Sequence, residues 1–160
     1  MDSDHVERIL AQWEAQRPDL DCSAMAVIGR LNRSSRLIEK RLLPVFKQHG
    51  ISAIEFDILA TLRRSAAPVT PTDLYQALML TSGTMSTRLE KLVQDGYIQR
   101  THADKDRRRC HVSLTQVGMT LIDKALDAHV DNQQQILQPL NSDEQKQLAH
   151  LLQRWLLTNE

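Results

Sequence analysis

The stretch from Thr70 to Leu114 constrains the fold more than any other part of the chain. Thr70-Pro71-Thr72-Asp73 joins an N-cap residue, a first-turn proline and an acid at the third helical position. Leu74, Ala77 and Leu78 then fall on one side of a short helix. Met79 and Leu80 leave room only for a tight turn before Thr81, which caps a second helix, Ser82 to Gln94. Met85, Leu89, Leu92 and Val93 face inward on it, and Asp95-Gly96 stops it. Tyr97 to Thr101 and Cys110 to Leu114 alternate apolar and polar residues around a polar, charged tip, the pattern of a β-hairpin. Two short helices across a tight turn, followed at once by a hairpin, predict a winged helix-turn-helix over residues 51–115.

The rest reads as helix. Val6, Ile9, Leu10 and Trp13 form one stripe over Asp4 to Gln16, ended by Arg17-Pro18. From about Asp21, Met25, Ile28, Leu31, Ile38, Leu42 and Val45 recur every three or four residues; Pro44 is expected to kink or shorten this helix, and Gly50 closes it. Ser52 and Glu55 make a capping box for a helix ending near Ser65, with Ile54, Ile58, Leu59 and Leu62 inward. Thr115 caps Gln116 to Leu137, and Pro139 stops it. Ser142 to Gln145 reads as a further capping box ahead of Leu148, Leu151, Leu152, Trp155 and Leu156. The fold expected is mostly α with a small β-wing. Residues 1–50 and 116–160 carry more apolar surface than a lone domain of three helices needs, so they are expected to form a homodimer interface.

Composition narrows the function. The chain has 160 residues with 41% apolar and 25% charged residues, which is enough for a core without disulfides or a structural metal. No apolar window is long enough to span a bilayer, and the acidic start MDSDHVERIL lacks the features of a signal peptide, so no membrane partner and a cytoplasmic location are expected. Glycine-rich phosphate loops, H-E-x-x-H and G-x-S-x-G are missing, which speaks against an enzyme. Cys22 and Cys110 stand alone, and His102, Cys110 and His111 lack the dense spacing of a metal site; neither metal nor cofactor is expected. Cys22 as a redox sensor, and a winged helix that binds protein rather than DNA, are the competing readings.

Formal charge sums to zero, with 20 basic and 20 acidic residues, yet it is segregated. Arg100 to His111 holds five Lys or Arg against two Asp. Taken alone, such a run is most often a solvated turn. At the tip of a hairpin beside a helix-turn-helix, it suits DNA instead: Arg108 for a narrow minor groove, Arg107 and Arg109 for phosphates, and Asp106 to orient the arginine. On the second short helix, Ser82, Thr84, Ser86, Thr87 and Lys91 can reach backbone or base edges, and Gly83 lets the two backbones approach.

These residues carry a resemblance. Asp106-Arg107-Arg108, then Leu114-Thr115 and Gly118, resemble the D-x-R…L-T-x-x-G wing signature of the MarR family of bacterial transcriptional regulators. Thr81 to Leu92 and Asp95-Gly96 are similar to its recognition helix and helix end, and the likeness covers nearly the whole chain. The resemblance implies a repressor that binds double-stranded DNA as a homodimer. Trp13, Asp57, Arg88 and Arg100 further resemble the ligand residues of the PecS or urate-responsive branch. That implies release by a small anionic aromatic molecule, a purine such as urate first. Asp57, on an otherwise apolar helix face, needs a charged partner, and Arg88 and Arg100 are the candidates.

Overall fold

Helices begin here where a side chain takes up the free N–H groups of a first turn. In this computed structural model, which describes residues 3–65, 67–103 and 106–159, Asp4 accepts from the Glu7 N–H at 2.7 Å to start α1 (His5–Gln16). Of residues 102, 103 and 106–109 only the backbone is described. Asp21 accepts from the Ser23 N–H at 2.9 Å at the start of α2 (Ser23–Gln48). Ser52 and Glu55 complete their capping box on α3 (Ala53–Arg64), and Thr70 with Asp73 does the same on α4 (Pro71–Ala77). Thr81 caps α5 (Ser82–Gln94). The antiparallel strands β1 (Ile98–Ala103) and β2 (Asp106–Leu114) follow, then α6 (Gln116–Leu137) and α7 (Ser142–Leu156). The chain is mostly helical with a small β-wing, as the patterning predicts.

Pro44 lies inside α2, which runs on to Gln48. Three local expectations are corrected. Val93 lies off the stripe of Met85, Leu89 and Leu92 and stays exposed. The hairpin is longer than its alternation suggests, with a register shift between His102 and Ala103, and Val69 adds a bridge to Val112 (N···O 2.8 Å). Finally, the cap of α7 is Asn141 rather than Ser142: its side chain accepts from Asp143 and Glu144, and Glu144 returns the bond to the Asn141 N–H. Asn is among the strongest N-cap residues, so the box slides back by one position. Gln145, released from that role, donates to the Leu137 and Leu140 carbonyls at the end of α6.

The chain forms two compact units, residues 1–41 and 42–160. In the first, Val6 is buried against Gly29, and the Arg30 guanidinium reaches Asp4 and Glu7, both at 2.8 Å. An apolar groove of about 430 Å³ is lined by Val6, Ile9, Leu10, Met25 and Ile28, together with Arg33 and Arg36. In the second, Ile58, Leu59, Leu74, Met85, Leu89, Leu92, Ile98, Val112 and Ile122 are almost completely buried. Each such side chain contributes roughly 1.5–3 kcal/mol by leaving water. This shared core fixes α5 and the wing on one scaffold. Thr115 locks the root of the wing: its hydroxyl donates to the Gly96 carbonyl at 2.7 Å and accepts from the Gly118 N–H at 3.0 Å. Gly118 must lack a side chain, because a Cβ there would run into the Tyr97 carbonyl.

Candidate nucleic-acid interface

The turn between α4 and α5 is made by Met79, exposed and at φ +50°, with the Leu80 N–H donating back to the Tyr75 carbonyl at 3.0 Å. It presents α5 with Met85, Leu89 and Leu92 in the core. Ser82, Gly83, Ser86 and Thr87 are exposed on the remaining surface. Thr84 is half-buried, its N–H donating to the Thr81 hydroxyl at 3.2 Å, and the Thr87 hydroxyl donates to the Gly83 carbonyl at 3.2 Å. The first two turns of that outer face are thus short hydroxyls around a glycine, and Glu90, exposed one turn beyond Ser86, adds an acid after them.

The wing continues from the same core. Arg100 is exposed on β1, opposite Val112. The backbones of Asp106, Arg107, Arg108 and Arg109 lie in β2; their side chains fall outside the described residues, as do residues 104 and 105 altogether.

Beneath α5 lies a carboxylate whose sequence pattern announces a cap alone. Glu55 is 2% exposed. One oxygen accepts from the Ser52 N–H at 2.7 Å, while the other stands 3.3 Å from the Lys91 ammonium and 3.6 Å from the Arg88 guanidinium. Desolvation pushes its pKa up, but the Ser52 hydrogen bonds and the charge of Lys91 outweigh that and hold it below the ordinary value. Lys91 also donates to Asp95 at 2.7 Å, and this bond, more than Glu55, holds its proton firmly. A capping box needs only one carboxylate oxygen, which is the signal in the sequence that the other was left over.

The charged partner of Arg88 is therefore Glu55 rather than Asp57. The two acids are two residues apart, roughly 200° around the helix, so they look in different directions. Asp57 is exposed, with its pKa raised by desolvation and opposed by His129 and Arg64. His129 stacks on Phe46 (centroids 5.4 Å) and lies tilted against Phe56 (4.8 Å), and burial lowers its pKa. Trp13 belongs to the first unit and is 41% exposed; Asp57, Arg88 and Arg100 belong to the second. Cys22 and Cys110 are half-buried free thiols. Among the described residues no group of three His, Cys, Asp or Glu is placed to hold a metal ion, and no helix is long and apolar enough to cross a membrane.

The MarR family matches residues 49–109, the segment that holds α3, α4, α5 and most of the wing. Over 151 residues the chain is 43% identical to the HTH-type transcriptional regulator PecS of Dickeya dadantii, covering 93% of this chain and 91% of that protein. The chain belongs to the MarR family. Its fold agrees: wild-type MarR from E. coli in its apo form superposes with a TM-score of 0.70 at 28% identity, covering 80% of this chain and 96% of that one. A mutant MarR from E. coli complexed with operator DNA gives a TM-score of 0.73 at 26% identity, over 86% and 99% of the two chains. As a MarR-family member with this winged helix-turn-helix, the chain is a DNA-binding transcriptional regulator.

Proposed function

We propose that this regulator works in the cytoplasm as a homodimer, represses transcription from a pseudo-palindromic operator in double-stranded DNA, and is released by a small anionic aromatic ligand, urate or a related purine first. The observation that carries the reading is α5: a helix anchored in the core whose first two turns expose Ser82, Gly83, Ser86 and Thr87, joined to a wing rooted in the same core. Free N–H groups and hydroxyls at its start suit phosphates, and its first two turns are slim enough for a major groove. Lys91 adds positive charge at its flank, and Arg107, Arg108 and Arg109, oriented by Asp106, supply the wing's contacts to phosphates and the minor groove.

Dimerisation is supported by what the single chain leaves bare. α7 buries no residue, and Leu151, Trp155 and Leu156 on it are exposed together with Ile9 and Trp13 on α1. Apolar stripes of this size mark an interaction surface, which a second copy would cover. The ligand reading rests on Trp13, Asp57, Arg88 and Arg100, and on the 43% identity to PecS. A mobility shift with the DNA upstream of the chain's own and neighbouring genes tests the reading: a discrete, salt-sensitive complex supports it, and no complex with any such duplex removes it.

A further inference from the structure

We infer that Glu55 is a positioning residue that sets how sharply α5 distinguishes its operator from other DNA; this rests on the DNA-binding reading above. The carboxylate is almost fully buried, and only one of its oxygens is used by the cap. The second oxygen has no hydrogen-bond partner among the described residues, yet two cations face it, Lys91 at 3.3 Å and Arg88 at 3.6 Å. They are attracted without being locked by directional bonds.

The placement of those cations gives the carboxylate its effect. Thr84, Arg88 and Lys91 follow one another along a single flank of α5, between the core stripe and the exposed hydroxyls of Ser86 and Thr87. A lysine or arginine on that flank, left to itself, extends to whichever phosphate is nearest, and phosphates are the same in every sequence. A buried anion behind the helix competes for both charges and keeps their heads on the protein side. The hydroxyl face then meets the DNA with less indiscriminate attraction beside it. Asp95 strengthens the effect by holding Lys91 from the end of the same helix.

Glu55→Gln separates this role from capping, since glutamine serves in a capping box and keeps nearly the same shape. An operator is first selected from a random duplex pool with the wild-type full-length chain; a chain that selects no sequence removes the DNA reading itself, independently of Glu55. Affinities for that operator and for a scrambled duplex of equal length are then followed against salt. In Glu55→Gln the scrambled duplex should bind several-fold tighter, with a log–log salt slope steeper by about 1 for each additional phosphate neutralised. The operator-to-scrambled ratio should fall by up to the same several-fold factor. Adding Lys91→Gln to the same chain should return the slope toward wild type. Ser52→Ala weakens the cap and keeps the charge, so it should lower the melting temperature and leave slope and ratio in place. An unchanged slope and ratio in Glu55→Gln, or a slope that Ser52→Ala steepens equally, overturns the inference and leaves Glu55 a cap with a core ion pair.

Discussion

Two carboxylates on α3 show how position along one helix turn decides chemistry. Glu55, ringed by the Ser52 N–H and two cations, is held ionised, so it adds stability that is lost as pH falls from its ordinary 4.5 downward. Asp57, with desolvation ahead of its distant partners His129 and Arg64, moves the other way. His129 offers the cleaner test. Burial keeps it neutral below its ordinary value of 6.5, so the unfolded chain binds more protons in that window and stability falls with pH there. The wild-type melting temperature should drop from neutrality toward about pH 5, and His129→Phe, which suits the stack on Phe46 and Phe56, should drop less. Equal drops would place the acid sensitivity elsewhere. On the wing, Arg108→Ala should weaken operator binding by about 1–3 kcal/mol without loss of fold, whereas Arg107→Ala and Arg109→Ala should act alike on all sequences and reduce the salt slope by about 1 for each phosphate no longer neutralised. Operator binding by Arg108→Ala equal to wild type, measured by titration against a fixed duplex, would show that this arginine does not read DNA. At this scale the sequence is only partly legible. Residue types mark Asp57 and Arg88 as charges needing partners, but which acid faces which base depends on the angle between α3 and α5, and nothing in the local pattern encodes that.

Elements are far more readable, because their boundaries are set by interactions within a few residues. Thr81, Thr115 and the Thr70–Asp73 box cap the helices where the sequence predicts, since each needs only its own first turn. At α7 two neighbours compete, Asn141 against Ser142, both able to cap and both with a suitable acid or amide three residues on. Val69 is unreadable for a different reason: a single bridge to Val112 depends on a residue 43 positions away. Among the glycines, Gly118 meets the nearest obstacle. Gly118→Ala drives a Cβ into the Tyr97 carbonyl, and neither the backbone of the wing root nor the first turn of α6 can yield without breaking the Thr115 bonds. Loss of about 2 kcal/mol or more is expected, seen as a lower midpoint in urea. A midpoint equal to wild type would mean that α6 shifts freely against the wing, contrary to this account.

At the scale of the molecule, the proposed homodimer would cover the exposed stripe of α1 and that of α7 and present the DNA-reading elements twice. Sedimentation should show a dimer at micromolar concentration, and a folded monomer there would remove the proposed interface. If urate pairs with Arg88 on α5 and Arg100 on β1, it acts on both reading elements, and linkage then requires DNA to weaken urate binding by the same factor, typically about 5–150-fold. Urate should therefore quench Trp13 fluorescence saturably, less so with operator present, and the quench should be lost in Trp13→Phe; an unchanged signal would remove this ligand while leaving DNA binding intact. The most direct test of the whole account is a footprint of the wild-type chain on its selected duplex. Two protected half-sites related by a dyad and about 10 bp apart, one helical turn, are predicted. Protection of a single asymmetric half-site, or none, would contradict it.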